Sequence, residues 1–96
     1  MARIEVGARD DGSFAVEVHT ADASTDHVVV VPSGFAARVG WEGVSSERLV
    51  AASFEFLLER EPPTSILRRF DLDEITRYFP EYPDEIRQRV PRHGAS

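Results

Sequence analysis

The chain has 96 residues, no cysteine and a net charge of −6, with 42% hydrophobic and 29% charged residues. This length suits one small domain, and this balance is typical of a folded protein. The lack of cysteine excludes disulfides and thiolate metal sites. The acidic charge disfavours non-specific binding to nucleic acid, which depends on basic residues.

Neither a membrane span nor a signal peptide is expected. No apolar run approaches the roughly 20 residues that cross a bilayer, and the N-terminal segment alternates charged and apolar residues. We therefore expect a cytoplasmic protein without membrane contact. We predict one α+β domain over residues 1–91 and a frayed C-terminal tail over residues 92–96, since Pro91 ends the last helical pattern.

The first third of the chain has the pattern of three β-strands. Residues 3–6 and 14–19 alternate apolar and polar side chains, and residues 26–31 contain a β-branched run of four valines that ends at Pro32. Short turn-like segments separate them. The pattern predicts a three-stranded antiparallel meander with one apolar face.

The first turn fixes the pairing of the first two strands. Asp10-Asp11-Gly12 suits a three-residue loop closed by glycine, and this loop sets Val6 opposite Val16. A two-residue Asp11-Gly12 turn would set Val6 opposite Glu17, an apolar side chain against a charge. The burial pattern therefore favours the longer loop.

The second turn, over residues 21–25, gives a less direct prediction. If Ala23 is its centre, Val16 lies opposite Val30 and His19 lies opposite His27. The apolar face of the meander would then carry Ile4, Val6, Phe14, Val16, Val18, Val28 and Val30.

Helices are expected to cover that apolar face. The longest begins at Ser45 or Ser46, either a good N-cap, and runs to about Arg60, before Pro62-Pro63. Its residues predicted to lie in the core are Phe54, Leu57 and Leu58.

Shorter helices follow. Thr64 or Ser65 can cap one that contains Ile66, Leu67 and Phe70. Asp71 with Glu74 three residues later is a variant of the capping box and begins the next. Pro83 suits the start of a last helix. The predicted architecture is the meander followed by one long and two or three short helices packed on one face.

One candidate metal site follows from the predicted pairing. Glu17, His19 and His27 would share the polar face of the sheet, close enough for a carboxylate and two imidazoles to hold a divalent ion. The alternative is that these are ordinary solvent-exposed strand residues.

Motifs for catalysis or cofactor binding are absent from the sequence. No serine lies in a nucleophile elbow, and no glycine spacing matches a phosphate-binding loop. We expect no cofactor, and the sequence leans away from an enzyme.

The C-terminal third contains a candidate partner-binding set, Arg77, Tyr78 and Tyr82. Both tyrosines flank Pro80, and an amphipathic ring at such a corner suits either a binding surface or a lid over the core edge. Arg77 belongs with Arg68 and Arg69 to a basic stripe. Acidic residues are interleaved with this stripe, so we expect local salt bridges in preference to contact with nucleic acid.

The same region carries a family resemblance. The strings FLLEREP at residues 56–62, SILRRFDL at 65–72 and YFPEY at 78–82 resemble a segment shared by a family of short bacterial and archaeal proteins without an established activity. The resemblance covers roughly residues 45–86 and implies no catalytic role.

Two classes of function remain open at this point. The first is a non-enzymatic protein-interaction module, either a homodimer or an accessory subunit, because an open sheet has edges that pair with other chains. The second is a small-ligand or metal-binding domain, with or without catalysis, that uses His19 and His27.

Overall fold

The computed structural model describes residues 2–91, which form an α+β fold around one four-stranded mixed sheet. The strand order is β1-β2-β3-β4. β2 pairs antiparallel with both β1 and β3, and β4 pairs parallel with β3. The strands are β1 (Arg3–Ala8), β2 (Phe14–His19), β3 (Ser24–Val30) and β4 (Arg69–Asp71). The helices are α1 (Phe35–Arg38), α2 (Ser46–Leu58), α3 (Leu72–Tyr78) and α4 (Tyr82–Gln88), with a 3₁₀ turn at Pro63–Ser65. The predicted tail, residues 92–96, lies outside the described residues.

The first hairpin confirms the predicted pairing. Val6 lies opposite Val16, and the Arg9 N–H donates to the Ser13 carbonyl at 2.8 Å. Gly12 has φ 87°, the left-handed conformation that closes a three-residue loop and that glycine adopts without strain.

The second hairpin contradicts the predicted pairing. Val16 lies opposite His27 and His19 lies opposite Ser24. The turn is shorter than expected because the Thr20 N–H donates to the Ala23 carbonyl at 2.8 Å and the Thr20 hydroxyl accepts from the Ala23 N–H at 3.0 Å. The predicted register is therefore wrong by three residues, an odd number, which turns every β3 side chain to the other face.

This reversal decides which β3 residues lie in the core. His27 is 3% exposed and Val29 is fully buried, whereas Val30 is 43% exposed on the outer face of the sheet. The His27 ring packs against Phe54 with centroids 5.2 Å apart. A polar ring thus occupies a place where the sequence predicts valine.

The predicted helix containing residues 66–70 is also wrong. After the 3₁₀ turn, Ile66 has φ −80° and ψ 135°, an extended conformation. The Arg68 carbonyl accepts from the Val28 N–H at 2.7 Å, and Val29 pairs with Phe70. The segment therefore adds a strand to β3, whose backbone groups would otherwise lack partners.

The remaining helix starts follow the predicted caps. Ser45 accepts from the Arg48 N–H at 3.3 Å, and Asp71 and Glu74 form a complete capping box. The α2 side chains Phe54 and Leu57 are buried as predicted, whereas Leu58 is only partly buried.

The core lies between the sheet and the helices. Its largest fully buried side chains include Trp41, Tyr82, Phe54 and Phe56. Trp41 donates its indole N–H to the Ile86 carbonyl at 2.8 Å, which ties the loop after α1 to α4. Among residues 2–91 there is no helix with the length and hydropathy required to cross a bilayer.

Candidate functional site

An apolar cleft lies where the β4 segment meets α2 and α3. Its volume is about 160 Å³. The apolar side chains that line it are Leu57, Ile66, Leu67, Phe70, Ile75, Tyr78 and Phe79. We call this set the β4–α3 groove.

The groove has a buried floor and an exposed rim. Ile66, Phe70 and Ile75 are buried, whereas Leu67 is 48% exposed and Tyr78 is 67% exposed. Within residues 2–91 only three large hydrophobic side chains are exposed, and two of them, Leu67 and Tyr78, border this cleft. Exposed apolar surface gathered in one concave place is typical of a binding site.

The polar residues in the groove lining are acidic apart from one serine. They are Glu61, Ser65 and Glu74. The Glu74 side chain accepts from the Asp71 N–H at 3.2 Å, so the capping box holds it in place. A ligand in this groove would meet an apolar floor and a negative rim.

The predicted partner-binding residues are separated by the fold. Tyr78 lies on the groove rim and Arg77, beside it on α3, is exposed. Tyr82, by contrast, is fully buried, with its ring stacked against Phe35 and tilted against Phe56. Its assignment to a partner surface is therefore corrected: α4 begins at Tyr82 and turns this side chain into the core.

The Tyr82 hydroxyl is satisfied inside the protein. It lies 2.6 Å from the Ser53 hydroxyl, which donates to the Leu49 carbonyl at 2.9 Å. Burial raises the pKa of the Tyr82 phenol well above its ordinary value. Tyr82 thus has a structural role in joining α2 and α4.

The basic stripe lacks the salt bridges that the sequence suggests. Asp73 pairs with Arg38 at 3.0 Å and Glu81 pairs with Arg60 at 3.0 Å. Within the described range, no salt bridge involves Arg68, Arg69 or Arg77. The nearby acids are engaged elsewhere because helix packing brings other arginines to them.

The polar sheet face does not bring together the predicted metal-binding set. His27 lies on the opposite face, where its Nδ1 donates to the Leu67 carbonyl at 2.8 Å and its Nε2 lies 2.9 Å from the Thr25 hydroxyl. Both ring nitrogens are therefore occupied. The correction follows directly from the odd register shift of β3.

A different set does converge on that face. One ligand atom each from Glu5, Glu17 and His19 lie within 4.8 Å of one another. His19 Nε2 is 3.2 Å from Glu17, and its Nδ1 is 3.0 Å from the Ser24 hydroxyl. Glu5 also pairs with Arg3 at 2.9 Å. The predicted metal-binding set lacks Glu5, although the confirmed β1–β2 pairing places it opposite Glu17.

Comparison with family models, curated proteins and solved structures gives no match to this chain. The family resemblance of residues 45–86 therefore stays a prediction.

Proposed function

We propose that this protein is a non-enzymatic interaction module, an accessory protein that captures a short segment of another protein in the β4–α3 groove. The observation that supports it most directly is that Leu67 and Tyr78 are both exposed and both border one apolar cleft. Tyrosine at the edge of an apolar cleft is a common anchor in protein interfaces.

The charge of the groove specifies the chemistry of the segment. Glu61 and Glu74 line the cleft and the whole chain has a net charge of −6. A segment with apolar side chains for the floor and a flanking Lys or Arg for the rim would be complementary, whereas an acidic segment would be repelled.

The test is a selection from a random peptide library, followed by affinity measurement on the selected peptides. We expect enrichment of peptides that combine apolar residues with Lys or Arg. Tyr78→Ala or Leu67→Ala should weaken their binding by roughly tenfold or more. Val30→Ala is the matched control, since Val30 is the third exposed hydrophobic residue and lies outside the groove.

Two outcomes would contradict the proposal. One is a selection that yields no apolar and basic motif. The other is binding that both groove variants leave unchanged or that Val30→Ala weakens equally.

Divalent-cation binding is a second candidate, favoured by the convergence of Glu5, Glu17 and His19. The Ser24 hydroxyl orients the His19 ring with Nε2 toward the carboxylates, as partners of ligating histidines commonly do. Titration with Zn²⁺, followed by NMR of the ring signals, tests this. His19 should respond and His27, with both nitrogens occupied, should not. An unchanged His19 signal, or equal binding by Glu17→Gln, would contradict it.

A further inference from the structure

β1 is the one long strand edge that the described fold leaves open. β1 and β4 are the two edges of the sheet. β4 has only three residues, and short edges resist pairing with other chains. β1 has six residues, pairs with β2 without a bulge and contains no proline. Such an edge is a template for another strand.

The free backbone groups of β1 belong to its even-numbered residues. The Arg9 N–H bonds to the Ser13 carbonyl, so these two residues form a hydrogen-bonded pair. Such pairs alternate along an antiparallel ladder, so Glu5 and Gly7 bond to β2, whereas Ile4 and Val6 direct their N–H and C=O groups outward. An added strand must bond to these outward groups.

A partly apolar cleft lies beside the same edge. Ala2 and Ile4 line it from the β1 side, and Ala51 and Leu58 line it from α2 together with Glu55 and Glu59. A chain that adds a strand to β1 therefore also covers this cleft, which combines ladder hydrogen bonds with burial of apolar surface.

We propose that β1 pairs antiparallel with β1 of a second copy, with the two-fold axis at Ile4, to give a homodimer with one continuous sheet. Ile4 then lies opposite the partner's Ile4, and Ala2 lies opposite the partner's Val6. On the polar face, Arg3 lies opposite the partner's Glu5. The hydrogen-bonded pairs are those of the even-numbered residues, as the outward groups require.

The charges of the polar face select this register. Within one chain His19 lies opposite Arg3, and Glu17 lies opposite Glu5. In the Ile4-centred register, the Glu5–Glu17 pair of each copy lies beside the Arg3–His19 pair of the other. A register centred on Glu5 would instead align four carboxylates, Glu17 and Glu5 from each copy, and opposed like charges destabilise a sheet.

The next register, centred on Val6, is disfavoured for a related reason. It sets Arg3 opposite the partner's Arg9 and leaves Glu5 opposite a glycine. Of these three registers, only the Ile4-centred pairing places opposite charges together. This pairing also keeps both α2 helices on one side of the sheet, so the cleft of each copy lies beside the new strand pair.

The first test is sedimentation equilibrium on the full chain. We expect a species of twice the 10.7 kDa chain mass. Arg3→Glu alone or Glu5→Arg alone should raise the dimer dissociation constant about tenfold or more, because each sets like charges opposite one another. An equimolar mixture of the two variants should restore the dimer, since each charge then meets its opposite.

The second test is amide hydrogen exchange of the wild type and of Arg3→Glu. In the dimer the amides of Ile4 and Val6 should be protected, and in the variant they should exchange quickly. Glu5 and Gly7 should stay protected in both, which shows that β1 remains folded. Ala8 should exchange quickly in both, because the register leaves it unpaired.

A chain that is monomeric at every concentration overturns the proposal, as does a mixture of the two variants that stays monomeric. Protection of Ala8 overturns the register. Leu67→Ala and Tyr78→Ala should leave the dimer intact. Failure of the groove function is therefore distinguishable from failure of this interface.

Discussion

Ser53 and Tyr82 meet inside the core with their hydroxyl oxygens 2.6 Å apart. Ser53 uses its one hydroxyl proton for the Leu49 carbonyl, so the Tyr82 hydroxyl is the donor between them. This bond connects the middle of α2 to the first residue of α4. It holds the long helix and the last helix in a fixed relation around the aromatic core.

We expect Tyr82→Phe to lower the free energy of unfolding by about 1 kcal/mol at neutral pH, the usual net value of one such hydrogen bond. Burial raises the pKa of Tyr82 in the folded protein. Its contribution to the free energy of unfolding is therefore present below the pKa of an unfolded tyrosine, about 10, and is lost as the pH rises further. The difference between wild type and variant should therefore narrow above about pH 10.

Urea denaturation across this pH range measures both effects. Tyr78→Phe is the control, because the Tyr78 side chain is exposed, and it should match the wild type at neutral pH. A Tyr82→Phe variant as stable as the wild type would contradict the role of this bond.

Two leucines give a matched test of the core. Leu57 is 4% exposed and Leu67 is 48% exposed. Leu57→Ala should cost about 2–5 kcal/mol because it leaves a cavity between α2 and its neighbours. Leu67→Ala should cost about 0.5 kcal/mol or less, since a surface site loses little burial. Similar losses for both variants would contradict the position of α2.

The capping box of α3 gives a third prediction. Asp71→Ala removes the acceptor for the Glu74 N–H at 3.1 Å and should cost about 0.5–2 kcal/mol. Glu74→Gln should cost less, because glutamine can also accept from the Asp71 N–H. Thermal unfolding of the two variants measures the difference. Equal losses would mean that the box is held by charge alone.

The ion pairs of Glu59 should account for part of the loss of stability in acid. Arg89 lies 2.7 Å and Arg60 3.3 Å from its carboxylate, and the hydrogen bond from Arg89 is the largest cause that lowers the pKa of Glu59. The stabilisation that Glu59 gives through these arginines is present above the pKa of an unfolded glutamate, about 4.3. It is lost as the pH falls through the lower pKa of Glu59 in the folded protein.

Glu59→Gln should therefore be less stable than the wild type at neutral pH, and the difference should shrink in acid. Glu42→Gln, at an exposed loop position, is the control and should track the wild type. A constant difference between Glu59→Gln and wild type at all pH values would contradict the linkage.

The parts of the fold that the sequence predicts well are governed by local chemistry. Gly12 can adopt positive φ, so the first loop and the β1–β2 pairing follow from it. Ser45 and Asp71 have side chains that accept from helix N–H groups, so both helix starts follow as well. Each of these features depends on residues a few positions apart.

The parts that failed depend on distant contacts. The β3 run has valine at both odd and even positions, so its hydrophobicity cannot decide which face is buried. The choice is made by the Thr20 turn and by the Leu67 carbonyl, which gives His27 a partner in the core. That carbonyl is 40 residues away in the chain.

The candidate site shows the same division. The sequence predicts a role for Tyr78 because an aromatic ring beside a helix end is visible in it. It does not predict one for Leu67, because its pattern there is helical and the floor of the groove exists only once β4 joins β3. The sequence places Tyr82 on a binding surface because its hydroxyl suits contact with water, whereas in the fold Ser53 satisfies this hydroxyl inside the core.

The parallel pairing of β3 with β4 also orders events during synthesis of the chain. The Val28 N–H finds its acceptor, the Arg68 carbonyl, only after the intervening helices have been made, and Trp41 finds its acceptor only at Ile86. A nascent or truncated chain that stops before residue 69 exposes β3 as an edge open to aggregation. The domain can therefore complete its fold only when almost all of it has left the ribosome, and we expect the emission of its single tryptophan, Trp41, to change at that stage.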